Sequence, residues 1–487
     1  MISQSFSDPA RWAELQVGDA RLMNKRRGRR AVKIVQAMAE NPGLSITRLF
    51  SRWGDCKSAY SLFDCGKATP DHLQAGHRER VVEECRKPGV VLMLEDTTTL
   101  SFSGREPIEG LGPVGDTKHS TEQGFLVHSV LAVRWQPPPG EPETWHERQP
   151  VEVIGLADQQ YRVRPKGTRR KRNGGKKMVR REGGANLETQ WWENSTRRIG
   201  SAPARPEVRW VRVCDREADI YETIMAYREA GHGFVVRACS NRVVVNPETG
   251  CPAGMLFERA REAPALGCFE LELRARPGHC ARTARLKVSA VGLHARSPVR
   301  PGHAAGTLPA LSFTVVRVWE PDPPEGVEPL EWILLTDATV TCFGGALEVA
   351  LQYAGRWLIE EFHKALKTGM GAEKLQLETG ERLMAAVALM SVAALRLLHL
   401  KEGSRLKAAA PAAESGFTDE ELTVLELATK RTLRTVGDVA LALGHLGGHL
   451  NRKSDGMPGW MSLWRGWIKL QGMLTGWRLA KALKNNG

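Results

Sequence analysis

The chain has 487 residues and carries 69 lysines and arginines against 55 acidic residues, a formal net charge of +14. That length exceeds what one hydrophobic core organises, so two or three domains are expected, and the positive excess favours a polyanionic partner. No stretch reads as long and apolar enough to span a bilayer, and MISQSFSDPARW lacks a signal-peptide core, so a cytoplasmic protein is expected. Nine cysteines without a C-x2-C pair read as reduced, mostly buried thiols, which argues against a zinc site or a disulfide framework.

Residues 1 to about 75 read as helical and basic. Arg21, Lys25, Arg26, Arg27, Arg29, Arg30 and Lys33 crowd the first half of a helix that continues through Ile34, Val35 and Met38. Asn41-Pro42-Gly43 then ends it. Such a face can neutralise phosphates or reach base edges in a groove; it equally fits an ordinary solvated surface.

In GVVLMLEDTTTLSF, an apolar run from Val90 to Leu94 ends in Glu95 and Asp96. In VRWVRVCDREADIYETI, a similar run ends in Asp215 and passes into helix-like sequence. Short runs rich in Val and Leu read as buried strands, and a carboxylate at the end of a strand can hold a metal on a rigid scaffold. A single Asp there can also be a helix cap, as Asp215 could be. Between the two runs, Arg162 to Arg181 include Arg169, Arg170, Lys171 and Arg172 and no acid, with glycines that make a loop. The loop over 162–181 reads as a mobile grip on DNA or as a tolerated surface insertion. Residues 243 to 330 show strand-type sequence broken by Pro and Gly turns.

YAGRWLIEEFHKALK then places Tyr353, Arg356, Glu360, Lys364 and Lys367 within a stripe about 80° wide on one helix face. Leu351, Leu358, Phe362 and Leu366 lie on the opposite side. One carboxylate framed by three cations and a phenol suits an anionic, metal-dependent substrate such as phosphate; the same face also fits surface ion pairs. His119, His128 and His363 have no metal-ligand spacing and read as structural or substrate-adjacent. From about 376 the chain turns helical: GERLMAAVALMSVAALRLLHLKEG is one long helix, and Thr418 with Glu421 forms a capping-box pattern. Trp460, Trp464, Trp467 and Trp477 make an aromatic stripe near the end, of a kind that is more often core than interface.

Two strand-end aspartates followed by Tyr-x2-Arg-x3-Glu-x6-Lys resemble the DDE transposases of the insertion-sequence-four family, and the resemblance covers nearly the whole chain. EDTTTLSF, VHSVL, VCDREADI, FVVRA, PLEWILLT, RWLIEEFHKALKTGMGAE, LGGHLNRKSDG and GWMSLWRGWIKLQ occur in the family's order. The resemblance implies an α/β chain: an RNase H-like catalytic domain (76–375) with a β-rich insertion at about 243–330. An N-terminal helical DNA-binding domain (1–75) and a C-terminal helical dimerisation domain (376–487) would flank it, while the basic loop departs from the family pattern.

It implies a catalytic triad of Asp96, Asp215 and Glu360 holding two Mg2+ ions, with Mn2+ able to substitute. Tyr353, Arg356, Lys364 and Lys367 would grip DNA end phosphates, and Trp332 would stack on a flipped base, although a Trp opening an apolar strand is ordinarily core. Arg216, Glu217 and Asp219 would orient the site, and Arg237 and Arg242 would reach DNA. The implied activity is nicking of transposon ends, hairpin formation and opening, and strand transfer into target DNA. A homodimer bound to double-stranded DNA in a bacterial, nucleoid-associated setting would perform it. A DNA-binding regulator without cleavage and a structure-selective nuclease of the same fold are the alternatives.

Overall fold

Val90 to Leu94 form an unbroken apolar run because both faces of their strand are covered. Leu92 and Leu94 enter one core cluster, while Val91 and Met93 enter another on the opposite face. This strand, β1 (Gly89–Ser101), is central to the fold. In the computed structural model, the described residues are 8–102, 104, 106–114, 122–137, 144–145, 151–165, 190–273, 280–298, 309–452 and 455–485.

Helices α1 (Pro9–Val17), α2 (Lys25–Glu40), α3 (Ile46–Leu49), α4 (Trp53–Phe63) and α5 (Pro70–Cys85) precede β1. After it come β2 (Gly112–Pro113), β3 (Gln123–Trp135), β4 (Thr144–Trp145), β5 (Glu152–Arg162), α6 (Trp191–Ile199), β6 (Val208–Cys214), α7 (Tyr221–Glu229) and β7 (Gly233–Arg237). The next stretch holds β8 (Val243–Val245), β9 (Pro252–Met255), α8 (Leu256–Glu262), β10 (Ala265–Leu273), β11 (Arg282–Ala295), β12 (Leu311–Trp319) and β13 (Glu331–Thr336). Six helices follow: α9 (Phe343–Gly355), α10 (Trp357–Lys364), α11 (Gly380–Leu406), α12 (Asp419–Thr429), α13 (Val436–Leu446) and α14 (Trp460–Asn485).

The sheet is mixed, with the order β2-β3-β1-β6-β7-β13-β12-β11-β10-β4, and β5 pairs with β3. β1, β6 and β7 run parallel at its centre, while β3 lies antiparallel beside β1 and β13 antiparallel beside β7. The β-type sequence after residue 243 does not form a separate layer. β12 pairs with β13 and carries the central sheet onward through β11 and β10. The chain is therefore mixed α/β around one large sheet.

Three expectations are corrected. The domain break near residue 75 falls inside α5, which runs unbroken from its Thr69 cap to Cys85. One helix is, by length and composition, apolar enough to cross a membrane: α11, with 27 residues and a window of mean hydropathy 2.0. Within the fold, 89% of that window is buried. Its apolar residues from Leu383 to Leu395 lie on all sides of the helix because α2, α5, β5 and α14 pack around it. The cysteines are free but not mostly buried: Cys56, Cys85 and Cys214 are buried, Cys65 is partly so, and Cys239, Cys251, Cys268, Cys280 and Cys342 are exposed.

The helical C-terminal part follows local rules. Thr418 accepts from the Glu421 amide at 3.2 Å, and the Glu421 carboxylate accepts from the Thr418 amide at 2.8 Å, closing the capping box. Gly447 and Gly466 let α13 and α14 touch: a Cβ on Gly466 would lie 1.8 Å from the Leu443 carbonyl oxygen. Of the four tryptophans, Trp460, Trp464 and Trp467 are core, whereas Trp477 is 39% exposed; Leu479 and Leu483 further along the helix are exposed as well.

Candidate active site and nucleic-acid interface

The last paired residues of the parallel β1–β6 ladder are Glu95 and Cys214. One residue further on, Asp96 and Asp215 stand at the end of that ladder on neighbouring strands. β1 continues beside β3 to Ser101, while β6 stops and Asp215 caps a short 3-10 turn, Arg216–Ala218, accepting from the Glu217 amide at 3.0 Å. Asp215 is thus both a cap and a neighbour of Asp96.

The helical segment bearing the Tyr-Arg-Glu-Lys residues crosses the same end of β1, but not as one regular helix. α9 stops at Gly355, Arg356 forms the joint, α10 spans Trp357–Lys364, and Ala365–Gly369 is a π-helical turn. An extra residue per turn there rotates Lys367 relative to a regular helix. Leu358 and Phe362 are fully buried and seat α10 on the sheet, and each such side chain stabilises by about 1.5–3 kcal/mol. The π turn is packed closely on its other sides: a Cβ on Gly369 would lie 3.0 Å from both Leu397 and Trp460. A Cβ on Gly43 (φ +79) would lie 3.0 Å from the Gly369 carbonyl oxygen.

Arg356 joins the carboxylates. Its guanidinium hydrogen-bonds Glu360 and stands 3.9 Å from Asp96. The His363 Nδ1 lies 3.7 Å from the same Asp96 carboxylate. Burial pushes the Asp96 carboxyl up to about 7; Arg356 opposes this, while the negative charges of Asp215 and Glu360 add to it. Burial holds His363 near 3, with Lys367, His128 and Arg356 contributing, so the ring is neutral. Among the described residues, no three His, Cys, Asp or Glu side chains are already gathered as a metal-binding group. The donor chemistry nevertheless fits a divalent cation: hard carboxylate oxygens raise one another's proton affinity, and one arginine is the cation beside them.

The remaining expected residues separate into two groups. Lys364 is exposed, and Lys367 is partly exposed 3.9 Å from Glu373, whose carboxylate accepts from the Ser101 amide at 3.1 Å. Trp332 is half-buried with its ring 5.9 Å from that of Tyr353, and Tyr353 is only 7% exposed. Arg237 donates to the Glu331 carbonyl at 3.2 Å. Arg242 is drawn inward, 2.5 Å from the buried Asp219 carboxylate, which also accepts from the Cys239 and Ser240 amides at 2.7 Å. Asp219 and Arg242 therefore pair to shape the loop after β7, whereas the sequence suggested a site-orienting role for Asp219 and a DNA contact for Arg242.

Glu95 is the residue the sequence left without a role. Its neighbour Asp96 points to the α10 face, so Glu95 points to the opposite one, where it is 1% exposed. Arg212 forms an ion pair with it at 2.6 Å, Ser195 donates at 3.0 Å, Tyr227 at 3.2 Å, and His128 Nε2 lies 3.3 Å away. His128 is buried and its ring stacks on Trp191, which fits a structural histidine. His119 and the run Arg169, Arg170, Lys171, Arg172 lie outside the described residues.

At the N-terminal end, α2 begins at Lys25 with Asn24 as its cap, so Arg21 is not on the helix; it pairs with Glu79 instead. Lys25, Arg26 and Arg29 are exposed, while Ile34, Val35 and Met38 are buried against the core. Arg26, Arg29, Arg30 and Lys33 line a groove of about 250 Å³ between α2 and α4, with Asp55 3.4 Å from Lys33. Residues 9–67, which include this groove, match the family model of the transposase DNA-binding domain. The match supports a DNA-binding transposase, with DNA as the partner of this N-terminal part.

Proposed function

We propose that the chain is a metal-dependent DDE transposase of the insertion-sequence-four family, similar to the transposon-five transposase. The observation that supports this reading is that Arg356 links Asp96 to Glu360 while Asp215 and Glu360 both push the Asp96 carboxyl up, on a chain whose N-terminal part matches a transposase DNA-binding domain. In this reading the strands β3, β1, β6 and β7 with α10 form an RNase H-like core, and the strands from β8 to β12 are its β-rich insertion.

Asp96, Asp215 and Glu360 would hold the Mg2+ or Mn2+ ions. A bound divalent ion supplies Lewis acidity toward the phosphodiester and the attacking hydroxyl. The protein's own residues then do the rest. Arg356 releases Glu360 and turns to a phosphate, since a guanidinium matches two phosphate oxygens as well as two carboxylate oxygens. Lys364 and Lys367 hold the DNA end along the exposed edge of α10 and the π turn. Trp332 offers an aromatic face beside Tyr353 on which a displaced base can stack, which makes a hairpin intermediate accessible before strand transfer. Trp477 on one side of α14, and Leu479 and Leu483 on the other, are exposed apolar side chains open to a second copy in the DNA complex.

The test is a set of single variants, Asp96→Ala, Asp215→Ala and Glu360→Ala, incubated with Mg2+ and a fragment carrying the element's ends. Each should lose cleavage at least a hundredfold while end binding changes little, because the groove beside α2 is untouched. Near wild-type cleavage in any of them would overturn the triad. End binding without cleavage by the unmutated protein would instead favour a silent regulator, and cleavage without joining would favour a nuclease.

A further inference from the structure

We propose that Glu95 and Arg212 are positioning residues that pin the register of β1 against β6, and so set the spacing of Asp96 and Asp215. The inference rests on the catalytic reading above and concerns the opposite face of the sheet.

The two strands are apolar and easily confused. Val91, Leu92, Met93 and Leu94 lie opposite Trp210, Val211, Arg212 and Val213. A slip of two residues would keep every side chain on its present face, and mostly apolar residues would still meet apolar residues. It would also move Asp215 by about 7 Å relative to Asp96, at about 3.3 Å per residue. Hydrophobic burial alone discriminates weakly between these registers.

The polar groups on the far face discriminate strongly. Glu95 sits at the last paired position of the ladder, opposite Cys214, and has no exposed side-chain surface. It receives the Arg212 guanidinium at 2.6 Å, hydroxyls of Ser195 at 3.0 Å and Tyr227 at 3.2 Å, and the Cys214 thiol at 3.5 Å. Arg212 is equally buried; it also donates to Ser195, lies 3.4 Å from the Met93 sulfur, and stands 5.1 Å over the Tyr227 ring. These partners come from β1, β6, α6 and α7, so any slip breaks their convergence and leaves buried charge without its partners. Such a loss is strongly destabilising, whereas the intact pair adds little net stability. A charge pair of this kind is therefore suited to specifying geometry rather than to adding stability. Beyond Glu95 the ladder has no further β1–β6 pair, so Asp96 and Asp215 take their spacing from the pair just before them, Glu95 and Cys214.

The double variant Glu95→Leu/Arg212→Met separates positioning from stability, since well-packed apolar replacements of a buried pair are commonly neutral or stabilising. Four quantities are measured: thermal unfolding, end-DNA binding, Mn2+ binding by the protein alone (free Mn2+ counted by electron paramagnetic resonance), and cleavage. The inference requires wild-type unfolding and end binding, Mn2+ binding weaker by about tenfold or more, and cleavage reduced with it. Wild-type Mn2+ affinity and cleavage in a folded double variant would overturn it. If the double variant does not fold, Arg212→Lys decides, because its ammonium keeps the charge but lacks the planar fork. Weaker Mn2+ binding at unchanged end binding supports the pin, and wild-type values refute it. An unmutated protein that neither binds Mn2+ nor cleaves would sink the metal-dependent reading and this inference with it. Wild-type affinity in the folded double variant would sink the pin alone.

Discussion

The guanidinium of Arg356 stands 3.9 Å from the carboxylate of Asp96 while holding Glu360 on its own helix. This single side chain connects strand β1 to α10, and it occupies the role of counter-cation where three carboxylates influence one another. It is also the joint between α9 and α10.

Replacing Arg356 by Gln removes the cation but keeps a hydrogen-bonding head. Mg2+-dependent cleavage is expected to fall at least tenfold, since a lost charge-assisted contact to phosphate is worth about 1.5–3 kcal/mol. End binding through the N-terminal groove should hold. Equal losses in cleavage and end binding on a gel-shift titration would contradict a local role for Arg356.

The groove beside α2 predicts a salt signature. Arg26→Ala and Arg29→Ala should each lower the slope of log affinity against log salt by about 0.9, one phosphate contact apiece. Arg21→Ala should leave it unchanged, because Arg21 lies off the helix and pairs with Glu79. Slopes measured from 50 to 200 mM salt would decide, and an effect at Arg21 as large as at Arg26 would argue that the groove is not the binding face.

Trp332→Ala should spare the first nick more than the hairpin. Base stacking on an aromatic ring is worth about 1–3 kcal/mol, enough to slow one step tenfold to a hundredfold. Nicked ends should then accumulate on a denaturing gel. Because Trp332 also packs against Tyr353, with ring centres 5.9 Å apart, a parallel fall in nicking and hairpin formation would assign it to packing instead.

Acid should destabilise the fold early. Burial holds His77 and His232 at about 3 and His399 at about 4, against 6.5 for an ordinary histidine. His77 shows why: Nε2 accepts from the Leu156 amide at 3.1 Å and Nδ1 faces the Gln16 side-chain oxygen at 2.8 Å, a pairing available only to the neutral ring. Folded pKa values below the unfolded value mean that the unfolded chain takes up protons first. The stability is fully present above pH 6.5 and is lost as pH falls toward 3–4, by about 1.4 kcal/mol per pH unit for each histidine. His77→Gln should make the decline of the unfolding temperature between pH 6.5 and 4.5 shallower, and an unchanged decline would contradict the assignment.

Local order in this protein was legible in the sequence because it is written over a few residues. The run Val90–Leu94, the cap at Thr418 with Glu421, the stop at Asn41-Pro42-Gly43, and the buried side formed by Leu358, Phe362 and Leu366 each depend on neighbours within one or two turns. The strand end before Asp215 was legible for the same reason, whereas Asp96 lies inside β1, which runs on beside β3 to Ser101. Only the tertiary structure decided what depends on chain segments far apart. The sequence pairs Glu95 and Asp96 as adjacent acids, yet strand alternation sends one toward Arg356 and the other into a buried cage assembled from residues as distant as Tyr227. An apolar 27-residue helix became core because α2, α5, β5, α14 and further elements pack on α11, and one expected helix face became α9, α10 and a π turn, with Gly369 close to Leu397 and Trp460. Period and capping are local free energies, whereas burial is a property of whatever the rest of the chain places alongside.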